Sequence, residues 1–152
     1  MREEDLGVLL PLVRAYCAFY EETEGIPQAS DDALLELSRA LLADPEREGV
    51  QLLARDTASG AAIGFATVYW SWSTLSASRI AVMNDLFVAP SARGGGAAEA
   101  LIEACREAAA GHGAASLQWS TALGNHRAQK LYDRVGGQRS RWLDYDLPVG
   151  DR

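Results

Sequence analysis

Apolar residues recur every three or four positions in the N-terminal part of the chain, which is the spacing of one face of a helix. This pattern predicts a first helix from Glu4 to Tyr20, with Pro11 inside it. A turn-forming segment, Glu24–Gln28, follows. Ser30 has the chemistry of an N-cap and predicts a second helix that continues to about Ala43. Two amphipathic helices are therefore expected before any strand.

The middle of the chain changes to short runs that are rich in β-branched and aromatic residues, as strands are. The runs Val50–Arg55 and Ala61–Trp70, joined by the turn residues 56–60, predict a β-hairpin. Arg79–Val88 predicts a third strand with one continuous period-two alternation, and Pro90 ends it. Three consecutive strands are therefore expected.

Helical and strand patterns alternate in the rest of the chain. A third helical stripe runs through Ala98, Leu101, Ile102, Cys105 and Ala109, and is followed by a strand at Ala115–Thr121, a helix at Asn125–Val135 and a last strand at Trp142–Leu147. Two strands joined by a helix run parallel, whereas a hairpin is antiparallel. The prediction is an α/β fold, a single domain over residues 1–152, whose mixed, mainly antiparallel sheet has a central parallel β-α-β unit and four flanking helices.

Composition excludes several classes of function. The net charge of −7 disfavours a nucleic-acid partner, because such proteins need clustered Lys and Arg to displace counterions from phosphates. No apolar run approaches the ~20 residues that cross a bilayer, so we expect no membrane partner and a cytoplasmic protein. The two cysteines lie in neither a metal-binding nor a redox spacing, so no metal is expected.

A glycine-rich segment separates the predicted third strand from the third helix. It consists of Arg93, Gly94, Gly95, Gly96, Ala97 and Ala98. The first N–H groups of a helix have no partner within the helix, and the helix dipole is positive there, so glycines before it let an anion such as pyrophosphate approach. Neither a Walker-type phosphate loop nor the dinucleotide fingerprint is present. The segment is either a phosphate site of another kind or a flexible loop.

Two motifs in the second half of the chain follow a known spacing. The pattern Arg/Gln-x-x-Gly-x-Gly/Ala is matched by Arg93, Gly96 and Ala98, after a D-L-[FY]-V-x-P pattern at residues 85–90. The pattern N-x-x-A-x-x-L-Y-x-x-x-G is matched by Asn125, Ala128, Leu131, Tyr132 and Gly136. Together they resemble the GNAT superfamily of acyl-CoA-dependent N-acyltransferases, over about Leu6–Leu147. The superfamily's first strand is nearly missing, so we expect it to be shortened or absent.

The resemblance implies an N-acetyltransferase whose co-substrate is acetyl-CoA. The N–H groups of Arg93–Ala98 would hold the pyrophosphate, and the pantetheine arm would contact four residues, Leu86, Phe87, Val88 and Asn125. Tyr132 would protonate the leaving thiolate. On periodicity alone, a core tyrosine with a satisfied hydroxyl is the better interpretation of Tyr132, and Asn125 is explained as the N-cap of its helix.

The acceptor implied by the resemblance is a primary amine, namely a small amine, a polyamine or a lysine side chain. The aromatic run from Tyr16 to Tyr20 resembles the branch with polyamine and histone acetyltransferases. Asn84 stands where many relatives have Glu, and an amide is no base, so proton removal falls to Asp85 through water, or to no side chain. Asp85 is equally a structural carboxylate near a bulge. The alternative function is a non-catalytic acyl-CoA sensor or partner-binding module.

The ends of the predicted sheet indicate a homodimer. Without a full first strand, the strand at Val50–Arg55 exposes N–H and C=O groups that seek a partner. The last strand, with Trp142 and Tyr145, is apolar enough on one side to cross a two-fold axis. The alternative is a monomer whose edge is covered by the first helix or by Met1–Glu3.

Overall fold

The structure is a computed structural model that describes residues 1–150. These residues belong to two compact units, one of residues 1–120 and one that begins at Thr121. The first unit contains α1 (Leu6–Glu24), α2 (Asp31–Ala43), β1 (Gly49–Arg55), β2 (Ala62–Ser73), β3 (Ser78–Val88), α3 (Ala97–Gly111) and β4 (Leu117–Gln118). The second contains α4 (His126–Arg134). Within residues 1–150, none of the helices has the length and apolar character needed to cross a bilayer.

The two N-terminal helices confirm the sequence prediction. The chain passes from a short 3-10 turn at Glu3–Asp5 directly into α1. α1 continues through Pro11, and Gly25 ends it in the left-handed conformation (φ 69°). The hydroxyl of Ser30 accepts the N–H of Ala33 at 3.3 Å, which caps α2 as predicted.

The sheet has the strand order β1-β2-β3-β4 and is mixed. β1 and β2 form the predicted antiparallel hairpin, and β3 is antiparallel to β2. β4 is parallel to β3, as the β-α-β pattern predicts, and lies at the end of the strand order. It is only two residues long, whereas the prediction was a strand at Ala115–Thr121.

Both faces of the sheet are covered, because every residue of β2 from Gly64 to Val68 is buried. On one face, three leucines of α1 pack with Phe65 and Phe87. α3 also packs on β1, β2 and β3, and buries Leu101, Ile102, Cys105 and Ala109. Burying a side chain as large as Phe65 contributes roughly 1.5–3 kcal/mol. Packing on both faces therefore holds β3 in place, including the end from which the chain continues towards α3.

A β-bulge interrupts β3 and corrects the predicted alternation. Thr67 pairs with Asp85, whereas the next residue of β2, Val68, pairs with Met83, so Asn84 is an extra residue on β3. Paired residues share a face, and neighbours alternate, so Met83 and Asp85 point to opposite faces although they are two apart. A single period-two pattern would have placed them together.

The predicted last strand is wrong. Residues 138–149 have no helix or strand, and Trp142, Leu143, Tyr145 and Leu147 are exposed. Alternating side chains make a strand stable only when the backbone pairs and one face is buried, and neither condition holds for this stretch. The pattern of 142–147 is correct for a strand, but local pattern does not supply a partner.

Candidate functional site

The glycine-rich segment forms a turn that opens α3. Gly94 and Gly96 both have left-handed backbones, with φ 86° and 82°, respectively, and Gly96 is the N-cap of the helix. Glycine has no side chain with which to cap the first amides, so these donors and the positive end of the dipole are offered at the turn. We call residues 93–98 the glycine turn.

The space around the glycine turn fits an anion. A Cβ added at Gly94 or Gly96 would meet no atom within 4 Å, so packing inside the protein does not require glycine there. What requires it is the left-handed backbone, and the result is a surface where a ligand can touch bare backbone. The side chain of Arg93 fixes the turn to the end of β3, because its Nε donates to the carbonyl of Val88 at 3.0 Å.

The outer edge of β3 is open next to this turn within the first unit. β4 pairs only with Ala81 and Val82, whereas Leu86, Phe87 and Val88 pair with β2 on their other side. β4 therefore leaves the end of β3 uncovered, five residues before the glycine turn begins. An extended chain can pair with an edge of this kind through main-chain hydrogen bonds.

Asp85 lies directly after the bulge, on the face of the sheet that carries α1. The amide of Asn84 donates to its carboxylate at 3.1 Å. Its cross-strand neighbour Thr67 is fully buried and receives a hydrogen bond from the amide of Gln51 at 3.3 Å. Asp85 itself is half-buried. The bulge therefore turns a carboxylate towards α1 instead of towards α3.

The negative charge of Asp85 raises the pKa of four nearby groups. Burial raises the pKa of Tyr16, Tyr20, Tyr69 and the thiol of Cys17, and in each case the negative charge of Asp85 is the next largest cause. A hydrogen bond to Asp85 raises the pKa of Tyr16 further. The rings of Tyr16 and Tyr20 are in edge contact, with centroids 4.9 Å apart. We call Asp85 and the three tyrosines the Asp85–tyrosine cluster.

The sequence did not predict this cluster. The run from Tyr16 to Tyr20 resembles one branch of the family, but nothing in its pattern indicates that α1 faces Asp85. A signal was nevertheless present, since Tyr16 and Tyr20 are four apart and share a helix face. Tyr69 lies two residues after Thr67 on the same face of β2.

The remaining predicted site residues lie in the second unit. Asn125 is the N-cap of α4, because its Oδ1 accepts the N–H of Ala128 at 3.1 Å, so the capping interpretation is confirmed. Tyr132 lies on α4 and is half-buried. Gly136 follows the helix with φ 85°. Contact of Asn125 and Tyr132 with a substrate stays a prediction.

No metal centre is evident in the part of the chain that the structure describes, where no three His, Cys, Asp or Glu side chains come together to hold an ion. The glycine turn offers backbone amides, and the Asp85–tyrosine cluster has one charged side chain, the carboxylate of Asp85. The arrangement suits an anionic ligand at the turn and a cationic one at the cluster.

Comparison with known proteins identifies the family. Residues 11–137 match the Acetyltransferase (GNAT) family. The chain is 34% identical over 135 residues to the uncharacterized N-acetyltransferase YhfO of Bacillus subtilis (strain 168), covering 89% of this chain and 85% of that protein. The chain belongs to the GNAT family of acetyltransferases, and the predicted superfamily, fold class, enzyme class and acetyl-CoA co-substrate are confirmed.

Two further relatives extend the comparison. The D-amino-acid N-acetyltransferase HPA3 of Saccharomyces cerevisiae (strain ATCC 204508 / S288c) is 38% identical over 91 residues, covering 60% of this chain and 56% of that protein. The crystal structure of a probable acetyltransferase has a TM-score of 0.80 at 28% identity, covering 100% of this chain and 97% of the other.

Proposed function

We propose that this protein transfers the acetyl group of acetyl-CoA to a primary amine by direct attack of the amine on the thioester. The observation that carries the proposal is the glycine turn, which offers uncapped helix amides and open space five residues after the uncovered end of β3. A pyrophosphate attached to an extended, amide-bearing arm has the chemistry that these two features recognise together.

In this proposal, the N–H groups of residues 94–98 bind the pyrophosphate, whereas the N–H of Arg93, which was predicted to join them, already donates to the carbonyl of Pro90 at 3.4 Å. The backbone of Leu86, Phe87 and Val88 pairs with the amides of the pantetheine arm, which fixes the thioester relative to the sheet. Asn125 contacts the same arm. An N–H of the Leu86–Val88 segment also stabilises the oxyanion that forms when the amine attacks.

The chemistry requires a neutral amine, because an ammonium has no lone pair. With a pKa near 10.4, only about one amine in a few thousand is neutral at pH 7. Asp85 accepts the ammonium proton through water, since Asn84 cannot act as a base. The nitrogen then bonds to the acetyl carbon and the carbon–sulfur bond breaks. Tyr132 protonates the thiolate and recovers its proton from the nitrogen through solvent, so one proton is released overall.

The acceptor is a small amine, a polyamine or a lysine side chain. HPA3 is a D-amino-acid N-acetyltransferase, and it is similar to 60% of this chain. The α-amino group of an amino acid is therefore a further acceptor class to test. The net charge of −7 favours cationic acceptors over anionic ones.

The test is turnover of acetyl-CoA by purified protein with a panel of alkylamines, polyamines, lysine peptides and D-amino acids. We expect at least one class of amine to cause release of the free CoA thiol from acetyl-CoA. The acetylated amine should be heavier by about 42 Da, the mass difference when one acetyl group replaces a hydrogen. The matched control is Gly96→Glu, which should not turn over. Binding of acetyl-CoA without acetylation of any amine would contradict the proposal and favour a sensor.

We also propose that the protein forms a homodimer in the cytoplasm. β1 ends the strand order, and a groove of about 470 Å³ runs along this edge, lined by Met1, Asp5, β1 and α3 rather than by the glycine turn or Asp85. An edge strand has backbone N–H and C=O groups that can pair with a strand of a second chain. Light scattering should give twice 16.4 kDa. A mass of one chain, unchanged on tenfold concentration, would contradict the dimer.

A further inference from the structure

We infer that Arg127 and Lys130, two exposed cations on one face of α4, bind the 3′-phosphate of acetyl-CoA, so that the protein prefers CoA ligands to their 3′-dephospho forms. A phosphate monoester of this kind carries about 1.5 to 2 negative charges at pH 7. The inference deepens the proposed function, since it rests on acetyl-CoA as the ligand and on the proposed contact of Asn125 with the pantetheine arm. It uses neither the amides of the glycine turn nor Asp85.

The first argument is the segregation of charge along the chain. Five of the 14 Lys and Arg residues lie between residues 126 and 141, where only one of the 21 Asp and Glu residues, Asp133, occurs. The chain as a whole has a net charge of −7, so its overall field repels an anionic co-substrate. A local group of cations offsets this repulsion, and α4 carries such a group.

The second argument is the position of the two cations on the helix. Arg127 and Lys130 are three residues apart, so they are neighbours on one face of α4, with Cβ atoms about 5–6 Å apart. Both residues are exposed, and neither forms an ion pair within the part of the chain that the structure describes. Asp133, the one acid of α4, is paired with Arg139 at 2.8 Å. Both cations are therefore available to an anion from solution.

The third argument is that these cations do not stabilise the helix. They lie within the first five residues of α4, near the positive end of its dipole, where acids are favoured and cations are unfavourable. By contrast, α2 has Asp31 and Asp32 in its first turn, and α3 has Glu99. A segment that breaks such a local rule indicates a functional requirement at that place.

The fourth argument concerns which anion fits this position. In the proposed function, the glycine turn binds the pyrophosphate, so the 3′-phosphate is the remaining phosphate of acetyl-CoA. Asn125, the N-cap of α4, contacts the pantetheine arm of the same molecule, and Arg127 and Lys130 follow it by only about 3 Å and about 7.5 Å along the helix axis. An Arg fork beside a Lys ammonium offers several charged N–H donors to the oxygens of one phosphate.

The experiment compares CoA with 3′-dephospho-CoA by calorimetry, in the wild type and in the double variant Arg127→Gln/Lys130→Gln. We expect the wild type to bind CoA on the order of tenfold more tightly than 3′-dephospho-CoA, and the double variant to bind the two ligands alike. In the wild type, added NaCl should weaken the binding of CoA more than that of 3′-dephospho-CoA, because exposed charge pairs are screened. Neither readout requires acetyl transfer.

The matched control is Arg47→Gln/Arg141→Gln, which removes the same two charges from exposed positions outside α4. This control should keep the preference for CoA, and so should the exchange Arg127→Lys/Lys130→Arg, which keeps both charges. Equal affinities of the wild type for the two ligands, or a preference that survives in Arg127→Gln/Lys130→Gln, would overturn the inference but leave the proposed function intact. If neither ligand bound, the proposed function would be wrong, and this inference with it.

Discussion

The glycine turn begins eight residues after Asp85 on the chain, but the turn and the Asp85–tyrosine cluster are built in opposite ways. The turn consists of consecutive residues, and its functional groups are backbone amides. The cluster consists of side chains from α1, β2 and β3, and its position depends on how those elements pack. A backbone site recognises what all acyl-CoA molecules share, whereas a side-chain cluster can distinguish one acceptor from another.

The largest expected effect is on the rate of the chemical step, and it distinguishes catalysis from binding at the glycine turn or at the Asp85–tyrosine cluster. If Tyr132 protonates the thiolate, Tyr132→Phe removes one hydroxyl and should lower kcat by roughly 10²–10⁴. The Kd for acetyl-CoA should hardly change, because neither the glycine turn nor the cluster is altered. Steady-state kinetics and calorimetry measure the two quantities. Full activity of Tyr132→Phe would mean that Tyr132 has a structural role and does not protonate the thiolate.

The next effect tests the glycine turn as a backbone site. Gly96→Glu places bulk and a negative charge where the amides of α3 begin, so acetyl-CoA affinity should fall on the order of a hundredfold or more. Gly96→Ala is the control, since it shares the strain of the left-handed backbone but adds no charge, and its Cβ meets no atom within 4 Å. Calorimetry with acetyl-CoA decides the matter. Equal affinities of wild type and Gly96→Glu would exclude the turn as the pyrophosphate site.

Most of the fold is predictable from the sequence because its signals are local. Ser30 caps α2 through a residue three positions away, and the hairpin is determined by two alternating runs and a turn. The last strand is the counterexample, because residues 142–147 have a strand pattern but remain without a partner strand. Pairing is a property of the whole chain, and the pattern of one segment does not contain it.

The same distinction separates the two functional regions. The glycine turn is predictable, since consecutive glycines before a helix determine its backbone and its donors. The cluster was not predictable, because the bulge at Asn84 decides which face Asp85 occupies. One inserted residue reverses the face of every side chain beyond it. Only the packing of α1 on that face then reveals that Tyr16 and Tyr20 approach the carboxylate.

A smaller effect is expected on stability, and it differs between a glycine that is packed in the sheet and a glycine in the open turn. A Cβ at Gly49 would collide with the carbonyl oxygen of Val68 in the neighbouring strand, whereas a Cβ at Gly94 meets nothing within 4 Å. Gly49→Ala should therefore lower the free energy of unfolding by about 3 kcal/mol, through a clash in the sheet. Gly94→Ala should cost about 1 kcal/mol, from its left-handed backbone alone.

Thermal unfolding measures this difference, at about 2–4 °C in Tm for each kcal/mol in a chain of this size. Equal losses of stability would mean that the turn glycines are held by packing. The comparison between a packed sheet and a turn open to a ligand would then be wrong.

The smallest effect concerns the ionisation of the cluster. Burial, followed by the negative charge of Asp85, raises the pKa of Tyr16, Tyr20 and Tyr69. A folded-state pKa above the unfolded value of about 10 means that the unfolded chain loses these protons first. The resulting contribution to stability is complete below pH 10 and is lost as the pH rises above it. Alkaline pH should therefore destabilise the protein through the cluster.

Asp85→Asn removes the second cause and leaves the first, so the three tyrosines should ionise at lower pH than in the wild type but still above pH 10. Absorbance at 295 nm follows the tyrosinates while far-UV circular dichroism confirms that the protein remains folded. Glu22→Gln, which removes a charge from the exposed side of α1, should leave the titration unchanged. If both variants gave the wild-type titration curve, the carboxylate of Asp85 would not face the three tyrosine rings. The Asp85–tyrosine cluster would then not exist as a site of packed side chains, and its comparison with the backbone site at the glycine turn would be wrong.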